Sequence, residues 1–275
     1  MNRPNREILQ KAILYVLIAI VLSIMLLPIV WMGLTAFKSE RDVLSIPPKI
    51  VFTPTIENFN YVFEKSNIIK GLVNSLIVSI AVIVITVPVG MFAAYSLARY
   101  NIGGGHLAFY ILTIKMFPPI AAVIPYFVIF RNIGLLDNVI SLILLNSLFN
   151  LPFTTWLLIS FIREIPVDLE EAAMISGATR FEAFREIILP LLRPALAVTA
   201  IFAGIFTWNE FLFAFVLSRT EAITITRVMA GFFTERGILW GPLSSCALIA
   251  TAPMFMLALA TQKYIVRGLT LGAVK

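Results

Sequence analysis

The chain has 275 residues, of which 60% are hydrophobic and 13% charged, and its formal net charge is +6. That balance excludes a soluble globular domain. One cysteine (Cys246) and one histidine (His106) exclude a disulfide framework, a Cys-based zinc site and a His-rich metal centre. No run of interleaved Arg and aromatic residues points to nucleic acid, so the positive charge reads as basic membrane flanks.

Apolar runs of the roughly 20 residues that a bilayer requires occur near 12–36, 71–98, 107–130, 139–162, 195–217 and 243–264. Short alternating segments, the mark of a membrane barrel, are missing from the sequence. The expected fold is therefore an all-α membrane protein with six transmembrane helices. The first run follows Arg3, Arg6 and Lys11, as a signal peptide would. It is too long for a signal core and lacks a clean cleavage site, so an uncleaved first span is expected. The polar stretch from Lys38 to Lys70, with Pro47, Pro48 and Pro54, reads as an extramembrane loop with a short helix around Glu57–Glu64. Residues 1–70 then form the N-terminus, first span and outer loop, residues 71–265 the membrane core, and residues 266–275 a tail. Lys and Arg lie slightly in excess on the side of both termini, which favours placing the termini in the cytoplasm. Pro118, Pro119 and Pro125 share the third run, a pattern that suggests a helix lining a pathway.

Between the fourth and fifth runs lies a charged segment, residues 163–194. Asp168 stands three residues before Glu171, close to a capping-box arrangement, and Gly177 suits a left-handed helix stop. Thr179-Arg180-Phe181-Glu182 is a T-x-x-E capping box that starts a second helix, with Phe181, Phe184 and Ile188 on one face. Pro190 and Pro194 are expected to end that helix before the fifth span. On the residues alone the segment is either a projecting peg or an amphipathic pair lying on the membrane surface.

Written out, Glu171-Ala172-Ala173, Gly177, Ile187, Leu189 and Pro190 form the pattern E-A-A-x3-G-x9-I-x-L-P. This resembles the signature of integral-membrane subunits of binding-protein-dependent ABC importers. Trp208-Asn209-Glu210-Phe211, Met116-Phe117-Pro118-Pro119 and the tail from Gly268 to Lys275 extend the resemblance to the carbohydrate branch, to the smaller maltose-type permease partner. Ser176 departs from it, since many relatives carry Asp before the Gly-Ala pair.

The resemblance implies a type I ABC importer permease fold in a bacterial cell (inner) membrane, with both termini and a coupling helix in the cytoplasm. Glu171, Glu170, Ala172, Ala173 and Gly177 would then engage the ATPase. The chain has no G-x4-G-K-[ST] sequence and so cannot cradle ATP phosphates itself. ATP and Mg would sit on a partner ATPase dimer, and this chain would bind no cofactor and catalyse nothing. A second homologous permease, a periplasmic or lipoprotein solute-binding protein and a sugar-like substrate complete the implied set, with lipid but no nucleic acid.

Charged and polar residues in the spans are candidates for the path. Lys115 either snorkels to the headgroups or faces a water-filled cavity. Trp208 either stacks on a sugar or anchors at the interface, and Asn209 and Glu210 follow it into the implied path. The competing classes are a six-helix secondary carrier not coupled to ATP, a membrane enzyme and a scaffold. A carrier calls for mid-membrane coupling-ion carboxylates, for which Glu210 alone is thin support. An enzyme calls for a catalytic constellation that is not visible here.

Overall fold

The computed structural model describes residues 3–100 and 102–271. In chain order the helices are α1 (Arg3–Ala36), α2 (Glu40–Val43), α3 (Glu57–Lys65), α4 (Ile68–Arg99), α5 (Gly104–Met116), α6 (Pro119–Asn132) and α7 (Val139–Glu164). They continue with α8 (Asp168–Ile175), α9 (Arg180–Ala183), a π-turn at Phe184–Ile188, α10 (Leu189–Trp208), α11 (Leu212–Leu217), α12 (Ile225–Ala230) and α13 (Trp240–Leu271). The short strands β1 (Phe233–Thr234) and β2 (Gly237–Ile238) pair antiparallel. The chain forms two compact units, Met1–Ser66 with Gly231–Ala252, and Asn67–Ala230 with Pro253–Lys275. Residues 272–275 of the expected tail lie outside the described residues; the part before them continues α13.

In the first unit, α1 is apolar on every side from Gln10 to Trp31 and exposed along that length; only Thr35 and Ala36 at its end are buried. A helix of that kind leaves most of its surface for lipid or a neighbouring subunit to cover. Its end is closed by polar groups. The Asn58 side-chain amide, on the expected short helix (found as α3), donates to the Ala36 and Lys38 carbonyls at 2.9 and 2.7 Å. Those are carbonyls that a helix terminus leaves without partners. Lys38 is buried, its ammonium 4.2 Å from the centroid of Trp31 in a cation–π contact.

In the second unit α4 packs along α7, and α10 lies against both. The helices approach closely at Gly90, where a Cβ would stand 2.8 Å from Thr154 Cγ2. Small residues at such crossings let helix backbones approach in a membrane, where lipid offers no hydrophobic drive for association. One core joins Met91, Leu97, Leu158, Ile162, Ile188 and Leu192. Another joins Val78, Val82, Val123, Leu142, Leu145 and Phe213.

Three expectations about the spans are corrected. The third run is not one helix: α5 and α6 meet at an angle of 80°. Phe117 and Pro118 are extended (ψ 129° and 118°), because a residue before proline avoids the helical region, and Pro119 starts a new helix. The fifth run stops at Trp208 rather than near 217. There Asn209 turns its amide back to the Ile205 carbonyl at 2.8 Å, and the Glu210 carboxylate accepts from the N–H groups of Phe213 and Ala214 at 2.7 and 3.2 Å. Such local side-chain bonds compete with continued helix and start α11 instead. Finally, Pro190 and Pro194 do not end the loop's second helix, because Arg180–Trp208 runs as one 29-residue span. Pro190 lacks an N–H and its ring would crowd the carbonyl four residues back, and the wider π-turn just before it absorbs that misfit.

Asp137, at φ 57°, ties the connection after α6 to the segment after α11. Its carboxylate accepts from the consecutive N–H groups of Arg219, Thr220, Glu221 and Ala222 at 2.7–3.1 Å. Partial burial works against the ionised form, but these four donors win and hold the carboxyl well below its usual range. The folded pKa is depressed, so the clamp's contribution is complete above the ordinary carboxylate pKa and is lost only as pH falls through the depressed value. Asp137→Asn should speed amide exchange at residues 219–222 by about tenfold or more, on the scale of one charge-assisted bond of about 1.5–3 kcal/mol. In the wild type, exchange there, corrected for intrinsic rate, should stay flat from pH 8 to pH 5.

Candidate functional site

The segment between α7 and α10 is built from two caps and one buried ion pair. Helix α8 ends in a Schellman motif: Gly177, at φ 97°, donates to the Met174 carbonyl at 3.1 Å, and Ala178 donates to Ala173 at 3.0 Å. Thr179 then forms the expected capping box, its hydroxyl accepting from the Glu182 N–H at 3.3 Å while the Glu182 carboxylate accepts from the Thr179 N–H at 2.6 Å. The expected cap at Asp168 does not form: Asp168 is the first residue of α8, behind Val167, and makes no capping bond. The π-turn also shifts the second helix's buried face. Ala183, Phe184 and Ile188 are buried, whereas Phe181 is exposed.

Glu170 and Glu171 point in different directions. Glu170 is buried: Arg99 Nε donates to its Oε1 at 2.5 Å, and the Tyr95 hydroxyl donates to its Oε2 at 2.6 Å. Arg99 Nη2 also donates to the Ile165 carbonyl at 2.9 Å, closing the end of α7. The two side chains are 7% and 8% exposed. Glu171, Ala172 and Gly177 are exposed, Ala173 is half-buried, and Ile175 is 88% exposed. Of the two carboxylates expected to face outward together, only Glu171 does so. Arg99 and Tyr95 were not among the sequence candidates; the available signal was a basic residue closing the second apolar run.

A second site lies in the membrane region. A cavity of about 420 Å³ is lined by Lys115, Asn146, Phe149, Asn150, Phe206 and Glu210, among others. The break between α5 and α6 opens an adjoining one of about 340 Å³, which shares Phe149 and includes Thr113, Phe117 and Tyr126. Lys115 thus faces a cavity, with its ammonium 4.9 Å from the Phe206 ring, and among the described residues it makes no ion pair. Asn150 donates to the Asn146 carbonyl at 2.8 Å and to Thr207 Oγ1 at 3.3 Å, while its Oδ1 has no partner among the described residues and is free to accept from water or solute in the cavity. Trp208 is 6% exposed and does not line the cavity, nor does the exposed Asn209. The structure therefore groups Lys115 and Glu210 and separates Trp208 and Asn209 from them. Asn146 and Asn150 went unnoticed in the sequence because an asparagine in an apolar run carries no pattern of its own. Among the described residues no cluster of His, Cys, Asp and Glu could hold a metal ion, and Cys246 is buried.

This fold, with two helices and a Gly turn connecting two spans, is that of type I ABC importer permeases. The chain belongs to the family of binding-protein-dependent transport system inner membrane components, which matches residues 86–271. It is 35% identical over 276 residues to the trehalose/maltose transport system permease protein MalG of Thermococcus litoralis, covering 98% of this chain and 99% of that protein. It is 38% identical over 267 residues to the trehalose transport system permease protein SugB of Mycobacterium tuberculosis, covering 94% and 96%. A chain in the crystal structure of a bacterial ABC transporter importing the acidic polysaccharide alginate shares the fold, with a TM-score of 0.72 and 22% identity, covering 96% of this chain and 98% of that one.

The caps are separable from the rest of the site. Thr179→Ala should cost about 1 kcal/mol locally, the usual value for a lost N-cap. Amide exchange at residues 181–183 should then rise by about fivefold, while exchange in α7 is unchanged.

Proposed function

We propose that this chain is one of two permease subunits of an ATP-driven importer for a sugar or sugar-like solute. In this reading a second homologous permease completes the path, a solute-binding protein delivers the cargo, and a separate ATPase dimer holds ATP and Mg. Both termini and the loop carrying α8 lie on the cytoplasmic side of the cell membrane, where the ATPase docks. The sugar assignment follows from relatives named for trehalose and maltose transport. The secondary carrier is set aside, because the chain belongs to a binding-protein-dependent family.

The observation that carries this reading is the division of labour on α8. One carboxylate, Glu170, is consumed inside the chain, while Glu171, Met174 and Ile175 stand exposed on a helix stopped at Gly177. An acidic and apolar face of this size suits a shallow cleft with a basic rim on the ATPase. ATP would favour the state in which the ATPase dimer is closed, and α8 would carry that preference to the spans. Along the path, Lys115, Asn146, Asn150 and Glu210 offer polar groups and Phe149 and Phe206 offer ring faces, the mixture that sugar hydroxyls and sugar C–H faces require. Trp208 and Asn209 would support that wall and would not touch cargo.

Reconstitution of the complete transporter in vesicles tests this. Sugar uptake, screened with trehalose and maltose first and then a wider sugar and polyol panel, should require MgATP and the binding protein. Gly177→Asp should leave the ATPase bound but reduce uptake at least tenfold, since a side chain at φ 97° is strained by about 1–2 kcal/mol and the Schellman stop is lost. Normal uptake by that variant, or uptake that ignores nucleotide, would contradict the reading.

A further inference from the structure

We propose that Arg99, Glu170 and Tyr95 form a latch that makes α8 and α4 move as one body when the ATPase closes, so that these three are positioning residues for energy transfer. The proposal rests on α8 being the helix that meets the ATPase, and it concerns how a push on α8 reaches the membrane.

Helix α8 is short and almost detached. It joins α7 through Ile165-Pro166-Val167 and α9 through Gly177-Ala178, the second at a left-handed glycine. None of its residues belongs to the apolar core formed by Met91, Leu97, Leu158, Ile162, Ile188 and Leu192. Leu169, Met174 and Ile175, its large apolar side chains, are all exposed. Its one buried side chain is Glu170.

That carboxylate meets groups from two other places. Arg99 closes the end of α4 and reaches both Glu170 and the carbonyl of Ile165, the residue that caps the end of α7. Tyr95, one turn earlier on α4, holds the other carboxylate oxygen. The Tyr95 ring packs edge-on against Phe184 of the π-turn, with centroids 4.8 Å apart. The ends of α4 and α7, the π-turn and α8 thus converge on one carboxylate. Apolar contacts are non-directional and would let α8 slide. Two charge-assisted bonds to the two oxygens of Glu170, shielded from water, fix both its distance and its rotation, and a third from Arg99 ties the same guanidinium to the end of α7. Glu170 therefore transmits force, while Glu171 receives it.

The test uses the assembled transporter with a hydrolysis-deficient ATPase and MgATP as the probe. Cys246→Ala removes the native thiol, and spin labels are placed at Ser176→Cys, at the end of α8, and Val84→Cys, an exposed position on α4. With the latch intact, the distance distribution should be narrow and the same with and without MgATP. Glu170→Gln should keep the ATPase co-purifying within twofold of wild type, yet shift the distance on MgATP and widen the distribution at least twofold. A merely structural role would widen it equally with and without nucleotide. A distribution in Glu170→Gln as narrow as wild type in both states overturns the latch. If Glu170→Gln does not assemble, Tyr95→Phe decides: it keeps the ion pair, should give a smaller nucleotide-dependent shift, and overturns the proposal if it gives none. The underlying reading fails separately: if Ile175→Arg binds the ATPase as wild type does, α8 is not the docking helix.

Discussion

A buried ion pair organises the segment of this protein that the proposed function assigns to the ATPase contact. Arg99 and Glu170 are nearly inaccessible to water, and charges in that position persist only when paired and hydrogen-bonded. Meeting that demand brings the last turn of α4, the Ile165 carbonyl capping α7 and the inner side of α8 to one point. It also decides what remains outside. With Glu170 turned inward, α8 presents Glu171 and Ile175 on its free face, and the two caps at Gly177 and Thr179 end the helix cleanly there. Removing one partner of a buried pair is costly, on the order of 3–5 kcal/mol, whereas an exposed pair such as Lys70 with Glu221 contributes little.

Deeper in the membrane a different constraint rules, since every backbone polar group needs a partner within the protein or in a wet cavity. The chain breaks two spans and meets that requirement each time. Between α5 and α6 the prolines remove the donors that would otherwise be orphaned. Between α10 and α11 the carboxylate of Glu210 and the amide of Asn209 occupy the free groups. Both breaks border the cavity where Lys115 and Asn150 sit, so irregular backbone and unpaired polar side chains share one place. That coincidence is what a polar solute crossing an apolar layer needs. It also explains why Glu210 serves two purposes, starting α11 and forming part of the wall.

Much of this was readable in the residues. Five long helices and a sixth, broken span appear near the six apolar runs, because run length reflects the thickness of the bilayer. Gly177 and the Thr179 box did what their chemistry dictates, since caps are local. Several of the misreadings depend on partners distant in sequence. Neighbouring helical residues point about 100° apart, so either Glu170 or Glu171 could have faced in until Arg99, 71 residues away, chose between them. Phe181 left the buried face because a π-turn, invited by Pro190, changed the helical phase. Trp208 could be read as a sugar platform or as an interface anchor, but the packing of α10 buries it. Asn146 and Asn150 carry no signal until α7 and the broken span enclose them.

The most direct measurement is a pair of structures of the assembled transporter, one without nucleotide and one trapped with MgATP and vanadate. The account predicts that α8 keeps its position relative to α4 across the two states. Arg99 and Glu170 should stay within ion-pair range, about 4 Å, while the spans reorient. A structure in which the pair separates and α8 pivots about Gly177 with α4 left in place would contradict it.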